Sequence, residues 1–296
     1  MFDRIFGNYL VKTGHLTRKQ LLEIYDEQEC NRVRLGLIAV SEKLMTIEQV
    51  DEINKLQAVM DKRFGDIAIS KGYLSNKQVD HLLNLQGNVY LVFAQTMIDN
   101  NYLSMSELEE ILLKFQKDFG YTQTEMDILK SGDIDRIASL LLNMEDHLVR
   151  EVIQMFIRTA GRLIDYHIFM KEAKEVEFYD SELLSIQELK GSHKIFSAIS
   201  ADEDAMMSIA IGFAGSRFIQ DGEDSVDAMC EFLNCVNGLF ATKKSTEQLE
   251  FDMVPPEYYL EQKNLSSKKM YVVPMIICEK EVDYIIVCDN DVTIAD

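Results

Sequence analysis

The segment DAMCEFLNCVNG, residues 227–238, has the pattern of a helix with two contrasting faces. At about 100° per residue, Glu231, Asn234 and Gly238 all fall within roughly 40° of Asp227 around the helix axis. The opposite side is apolar and carries Met229, Phe232, Leu233, Val236, Leu239 and Phe240. Because a folded protein buries such an apolar side, the segment predicts a helix packed on a sheet, with its polar side facing solvent or a partner.

The polar side of this helix leaves two interpretations open. Asn and Gly are poor helix formers, and a helical Gly costs about 1 kcal/mol relative to Ala. Their presence at Asn234 and Gly238 favours a face that docks onto another molecule. The alternative is a solvated face without a function, which is the usual role of a charged stripe on a surface helix.

The second half of the chain mixes helical and strand-like segments. A long amphipathic helix is predicted at 146–164, and a helical region at about 214–242, broken around Asp221-Gly222. Strand-like stretches lie at 175–179, 193–200, 206–213, 249–254, 269–278 and 283–289. Since most strands follow one another as hairpins, residues 144–296 are predicted to form an α/β (α+β) domain with a mostly antiparallel sheet packed against long helices.

The first third of the chain contains a 29-residue repeat. Its members are Gly7, Gly36 and Gly65, with Ala94 in the fourth place, and Gln28, Gln57 and Gln86. Each unit has a turn position, filled by Gly14, Lys43, Gly72 or Asn101. A helix-capping box follows each turn: Thr17/Gln20, Thr46/Gln49, Ser75/Gln78 and Ser104/Glu107. Stacked units share one core, so residues 1–116 are predicted to form an all-helical domain of four units. Residues 117–143 are predicted to form a connector with some helix of its own.

The composition narrows the function classes. The 296 residues carry a formal net charge of −20, which disfavours nucleic acid and anionic membranes as partners. The five cysteines, Cys30 among them, form no CxxC pair, so neither a zinc site nor a disulfide framework is predicted. No HxxEH-type pair or GxxxxGK(S/T) motif supports a metal- or nucleotide-hydrolysing enzyme. A cytoplasmic location without membrane insertion is expected, because there is no secretion signal and no apolar run of about 20 residues.

The repeat units resemble the MshEN/GspE-N domain of type II secretion and pilus ATPases. That family's motif begins with Arg-Leu-Gly and ends in Gln; here Arg34-Leu35-Gly36 runs to Gln57, and Arg63-Phe64-Gly65 runs to Gln86. Some members bind cyclic di-GMP. The resemblance therefore implies four nucleotide-binding residues: Arg34, Gly36, Arg63 and Gly65.

Three positions depart from this motif. Lys43 stands where the motif has Gly, Phe64 stands where it has Leu, and Ile5 of the first unit stands where it has Arg. The alternative reading is that Gly and Gln serve close helix packing and polar capping, in a spacer or protein-binding module.

The helix at 227–238 resembles the signature helix of the CheC/CheX/FliY chemotaxis phosphatases, with the pattern D-x3-E-x2-N-x3-G. Pro255-Pro256 resembles the two prolines that follow this helix in that family. The resemblance covers about residues 145–291. The helix at 146–164 offers only Glu151 and Gln154, with His147 and Arg158 at the other motif positions. One motif points to the CheX-like subgroup and implies a homodimer.

The resemblance also implies a mechanism, the hydrolysis of the aspartyl phosphate of a CheY-like receiver domain. Asn234 would orient the attacking water, and Glu231 would pair with the receiver's lysine. Asp227 and Gly238 would support docking. Mg²⁺ would come from the receiver, so the chain is expected to have no cofactor of its own. The alternative is a non-catalytic adaptor that binds a receiver through this helix and cyclic di-GMP or a protein through the repeats.

Overall fold

The computed structural model describes the whole chain except residues 28–32, 58–62, 143, 145, 166 and 167. Gln28 and Cys30 of the sequence analysis therefore lie outside the described residues. Contacts divide the chain into two compact units, residues 2–133 and residues 134–296 with Met1. Within the described ranges, no helix is both long enough and apolar enough to cross a membrane.

The first unit is helical in the part that the structure describes. Its helices are α1 Phe2–Lys12, α2 Arg18–Glu27, α3 Leu35–Ser41, α4 Ile47–Gln57, α5 Phe64–Ser70, α6 Asn76–Asn84, α7 Val89–Asp99, α8 Met105–Phe119 and α9 Gln123–Lys130. The first eight form four helix pairs, one for each 29-residue unit. Helix α9 lies in the stretch that the sequence analysis assigned to a connector.

Each helix pair turns and restarts as the sequence predicts. All four turn residues have left-handed backbones, with φ of 77° at Gly14, 56° at Lys43, 75° at Gly72 and 57° at Asn101. All four capping boxes are confirmed, because each cap accepts from the backbone N–H three residues later and each Gln or Glu accepts from the cap N–H. A fifth box, Thr122 with Glu125, was missed because it lies outside the 29-residue register.

The repeated glycines lie where two helices approach closely. A Cβ added at Gly36 would lie 2.7 Å from Val50 Cγ1, and one at Gly65 would lie 3.0 Å from Val79 Cγ1. In each case the contact is 14 residues further along the chain, in the second helix of the same pair. The repeated Gln86 donates to the carbonyl of Val33 at 2.8 Å. Close helix packing therefore accounts for the repeated glycines Gly36 and Gly65. A hydrogen bond to a backbone carbonyl accounts for Gln86.

The second unit combines four helices with nine strands in its described residues. The helices are α10 Ile134–Leu142, α11 His147–Leu163, α12 Glu203–Ala214 and α13 Gly222–Ser245. The strands are β1 Phe169–Met170, β2 Lys174–Ser181, β3 Leu183–Gly191, β4 Ile195–Ala201, β5 Phe251–Met253, β6 Glu257–Tyr259, β7 Lys263–Ile277, β8 Lys280–Cys288 and β9 Thr293–Ala295. They form one sheet in the order β1-β7-β8-β4-β3-β5, with β2 and β9 also on β7 and β6 also on β3. Every pairing is antiparallel, which confirms the predicted sheet.

One sequence prediction in this unit was wrong, and one long strand was missed. Residues 206–213, predicted as a strand, belong to helix α12, which begins after Asp202 accepts from the N–H of Ala205 at 2.7 Å. A short apolar run fits a buried helix as well as a strand, and here the buried residues follow helical spacing. Strand β3 was not predicted, because the polar Ser185 and Gln187 interrupt its apolar residues although both are buried.

The main core joins the helices to one face of the sheet. Phe156 of α11 stacks on Tyr284 of β8 with ring centroids 4.0 Å apart. Phe232 of α13 meets the edge of the same Phe156 at 5.4 Å. All three rings are buried, and such aromatic contacts add to the stabilisation that burial of their large apolar area provides. A smaller apolar cluster, with Phe196 and Met270, occupies the opposite face of the sheet.

The glycine packing gives a test of the helical unit. We expect Gly36→Ala to lower the free energy of unfolding by about 1–3 kcal/mol, because the new methyl group overpacks against Val50. Gly65→Ala, with a 3.0 Å contact, should cost less. Urea denaturation of the full chain measures both, and an unchanged or raised stability for Gly36→Ala would contradict the packing argument.

Candidate functional site

Helix α13 is fixed in place by its cap and its apolar side. Asp221 caps it by accepting from the N–H of Asp224 at 3.0 Å. The predicted apolar side is buried at Met229, Phe232, Leu233, Val236 and Phe240. Leu239 is the exception, at 39% exposed, because it lies at the margin of the apolar side. This burial sets the rotation of the helix about its axis.

The four motif residues lie on the outward side of α13. Asp227 and Glu231 are exposed, and Asn234 and Gly238 are half-buried. A Cβ added at Gly238 would find no neighbour closer than Met253 Sδ at 3.7 Å, which is an ordinary contact. Unlike the repeat glycines, Gly238 is therefore not required by packing within the described part of the chain.

Asn234 is held from behind by a strand residue that the sequence analysis missed. Gln187 of β3 donates to Asn234 Oδ1 at 2.9 Å and to the carbonyl of Val254 at 3.0 Å. Gln187 Oε1 accepts from Asn237 at 2.8 Å, and Asn237 also donates to Ser197 at 3.0 Å. Gln187, Asn237 and Ser197 are at most 1% exposed. The available signal was the polar alternation of Ser185 and Gln187 within an apolar stretch.

The thiol of a cysteine on the same helix is not activated as a nucleophile. Cys230 is buried and its thiol donates to the carbonyl of Glu257 at 3.3 Å. Burial raises the pKa of the Cys230 thiol to about 11. The thiol therefore stays protonated at neutral pH and is not poised as a nucleophile.

The corresponding positions of α11 are engaged inside the unit. Glu151 pairs with Lys244 at 2.8 Å and with Lys243 at 3.0 Å, both on α13. Gln154 donates to the carbonyl of Asp135 and to Ser139. Arg158 pairs with Asp135. These contacts join α11 to α13 and to α10.

The residues assigned to nucleotide binding are only partly brought together. Arg34 and Gly36 line a cleft of about 750 Å³ in the helical unit, together with Phe64. Arg34 Nη2 lies 3.0 Å from Asp99 Oδ1, so its charge is already paired. Arg63 and Gly65 are not among the residues described as lining this cleft.

Metal ions in proteins are bound by clusters of His, Cys, Asp and Glu side chains. Over the described ranges, no group of three or more His, Cys, Asp or Glu side chains could hold a metal ion.

Several solved structures are similar to part of this chain. One is a putative chemotaxis protein from Desulfovibrio vulgaris Hildenborough, with 13% identity, TM-score 0.43, and coverage of 50% of this chain and 99% of that one. Another is chemotaxis protein CheX from Vibrio vulnificus, with 15% identity, TM-score 0.40 and coverage of 48% and 99%. A CheX-CheY-BeF3-Mg complex from Borrelia burgdorferi has 16% identity, TM-score 0.38 and coverage of 50% and 98%.

Sequence comparison places the motif helix within a known family model. No curated protein matches the chain. The family model covers residues 183–277, which run from β3 through α13 to the end of β7. Asn234, its partner Gln187 and the Val254 carbonyl all lie inside this range. Residues 183–277 of the chain thus match the family described as chemotaxis phosphatase CheX.

Proposed function

We propose that the α/β unit hydrolyses the aspartyl phosphate of a CheY-like receiver domain. The observation that carries this proposal is the outward stripe of α13, which lies inside the segment that matches the chemotaxis phosphatase model. Its central amide, Asn234, is held from behind by Gln187. A convex helix face with these groups suits insertion into a partner's active site.

Asn234 would supply the catalytic group. An aspartyl phosphate is an activated acyl phosphate, so its hydrolysis requires little more than a water held in line with phosphorus. An amide both donates and accepts hydrogen bonds, and it brings no negative charge towards the phosphoryl oxygens. The half-buried position of Asn234 restricts its motion and makes it suitable for positioning that water.

The flanking carboxylates would hold the receiver. Glu231 is exposed one turn before Asn234, where it can pair with a lysine beside the partner's phosphorylation site. Asp227 extends the same face as a docking group. Mg²⁺ would be bound by the receiver, so the phosphatase itself needs no cofactor.

Removal of the amide tests the catalytic assignment. We expect Asn234→Ala to abolish the accelerated loss of phosphate from a phosphorylated CheY-like receiver, with the circular dichroism spectrum and thermal midpoint preserved. Cys235→Ala changes the next exposed residue of the same helix and should retain activity. The readout is the decay of ³²P-labelled receiver, and the assignment fails if the alanine variant of Asn234 matches the wild type.

Gly238 should show opposite effects on stability and on docking. We expect Gly238→Ala to raise the free energy of unfolding by about 0.5–1 kcal/mol, because alanine favours the helix and its methyl group meets Met253 only at an ordinary contact distance. If the receiver packs closely on this face, the same methyl group should raise KM in the phosphatase assay. A variant that is more stable and binds the receiver as well as wild type would remove Gly238 from the docking face.

The second candidate function is a non-catalytic adaptor. The cleft at Arg34 and Gly36 favours a ligand on the helical unit, and cyclic di-GMP is the ligand that the repeat motif suggests. In this version the α13 face binds a receiver without hydrolysis, and the repeats regulate it. A homodimer and a cytoplasmic location belong to both candidates, and light scattering of the purified chain tests the dimer.

Calorimetric titration with cyclic di-GMP tests whether the repeats bind the nucleotide or only a protein partner. We expect cyclic di-GMP to release heat with the wild-type chain, and Arg34→Ala to weaken binding at least tenfold, because Arg34 lines the cleft. Arg63→Ala should have a smaller effect, since Arg63 is not described as lining it. The absence of heat at millimolar nucleotide would leave only protein partners for the repeats.

A further inference from the structure

We infer that Gln187 is a positioning residue that fixes the amide of Asn234 with its oxygen inward and its NH2 group outward. This inference rests on the proposed function of Asn234, and it deepens that function by assigning which amide group meets the partner. Asn234 lies on α13, whereas Gln187 lies on β3, 47 residues earlier in the chain.

The orientation of the Asn234 amide follows from a nearby backbone carbonyl, because a carbonyl can only accept hydrogen bonds. Gln187 lies 3.0 Å from the backbone carbonyl of Val254, which only accepts hydrogen bonds. The atom of Gln187 at that contact must therefore be Nε2. The same nitrogen lies 2.9 Å from the Asn234 side chain, so the facing atom of Asn234 must be Oδ1.

The other end of Gln187 supports the same assignment. Its Oε1 accepts from Asn237 Nδ2 at 2.8 Å, and that nitrogen also donates to Ser197 Oγ at 3.0 Å. A flipped Gln187 would bring its oxygen against the Val254 carbonyl and its nitrogen against the Asn237 nitrogen. Since Gln187 and Asn237 are almost completely buried, water does not relieve such mismatches, which cost about 1–3 kcal/mol per unsatisfied group.

The Val254 carbonyl is itself held in place. Its residue precedes Pro255, which restricts Val254 to extended conformations. The N–H of Val254 donates to the carbonyl of Glu188 at 2.9 Å, so the segment is tied to β3 immediately after Gln187. Pro255-Pro256, a motif in the sequence, thus acquires a physical role as the support of the amide network.

The outward NH2 group gives Asn234 a defined role towards the partner. Within the described residues it donates no hydrogen bond, so it is available to a phosphoryl oxygen. Oδ1 has a second lone pair beside the one used by Gln187, and that lone pair can accept from the attacking water. One amide then contacts both the nucleophile and the phosphoryl group, and Gln187 keeps it from rotating.

Replacement of Gln187 tests the positioning role. Gln187→Met keeps the side-chain length and removes both donors, so we expect kcat for receiver dephosphorylation to fall roughly 10- to 100-fold with KM little changed. Ser185→Ala is the matched control, because it removes one buried hydrogen bond from β3 to the Val226 carbonyl of α13 and leaves Asn234 untouched. Equal kcat for Gln187→Met and wild type would overturn the inference.

A measurement on the free protein is independent of catalysis. In protein labelled with ¹⁵N at Asn and Gln side chains, we expect slow exchange with D2O for the NH2 groups of Gln187 and Asn237 and fast exchange for that of Asn234. Protection of the Asn234 NH2 group would overturn the assigned orientation, even if Gln187→Met fails to fold. If the wild type does not dephosphorylate any receiver, the proposed function fails, and the exchange pattern still decides whether Gln187 orients Asn234.

Discussion

Burial of the apolar side of α13 against the sheet is the constraint on which the motif surface depends. Phe232 packs on Phe156, which in turn stacks on Tyr284 of the central strand β8. A rotation of α13 by one residue, about 100°, would expose this aromatic contact to water. The aromatic core therefore fixes the direction in which Asn234 and Glu231 point, although neither residue belongs to that core.

The chain uses helical glycine for two different physical reasons. At Gly36 an added Cβ would collide with Val50 of the paired helix, and at Gly65 it would make a tight contact with Val79, so internal packing favours glycine at both positions. At Gly238 an added Cβ would make only an ordinary contact with Met253, so the cost to helix propensity has no internal compensation in the described residues. The repeat glycines therefore explain the stacking of the helical unit, whereas Gly238 is the residue that an external partner would explain.

The polar groups beneath α13 form a satisfied network inside an apolar core. Buried amides cost free energy unless they are fully hydrogen-bonded, and Gln187 and Asn237 use both hydrogens of their NH2 groups. Apolar residues of similar shape would pack there without this requirement. The network instead defines a single orientation for the side chain that faces outward at Asn234.

The sequence by itself determined the local features, because their causes are local. The four capping boxes, the turn positions that precede them and the two faces of α13 each depend on residues a few positions apart. Residues 183–191 form a strand and residues 203–214 form a helix because of the elements that cover them, so the sequence pattern missed the strand and assigned part of the helix to a strand. Only the tertiary structure brought Gln187 of β3 and the Val254 carbonyl to Asn234, since their contact joins segments 47 and 67 residues apart in the chain. The packing of the helix on the sheet decides which of these distant groups donates a hydrogen bond and which accepts it. No spacing in the sequence predicts that choice.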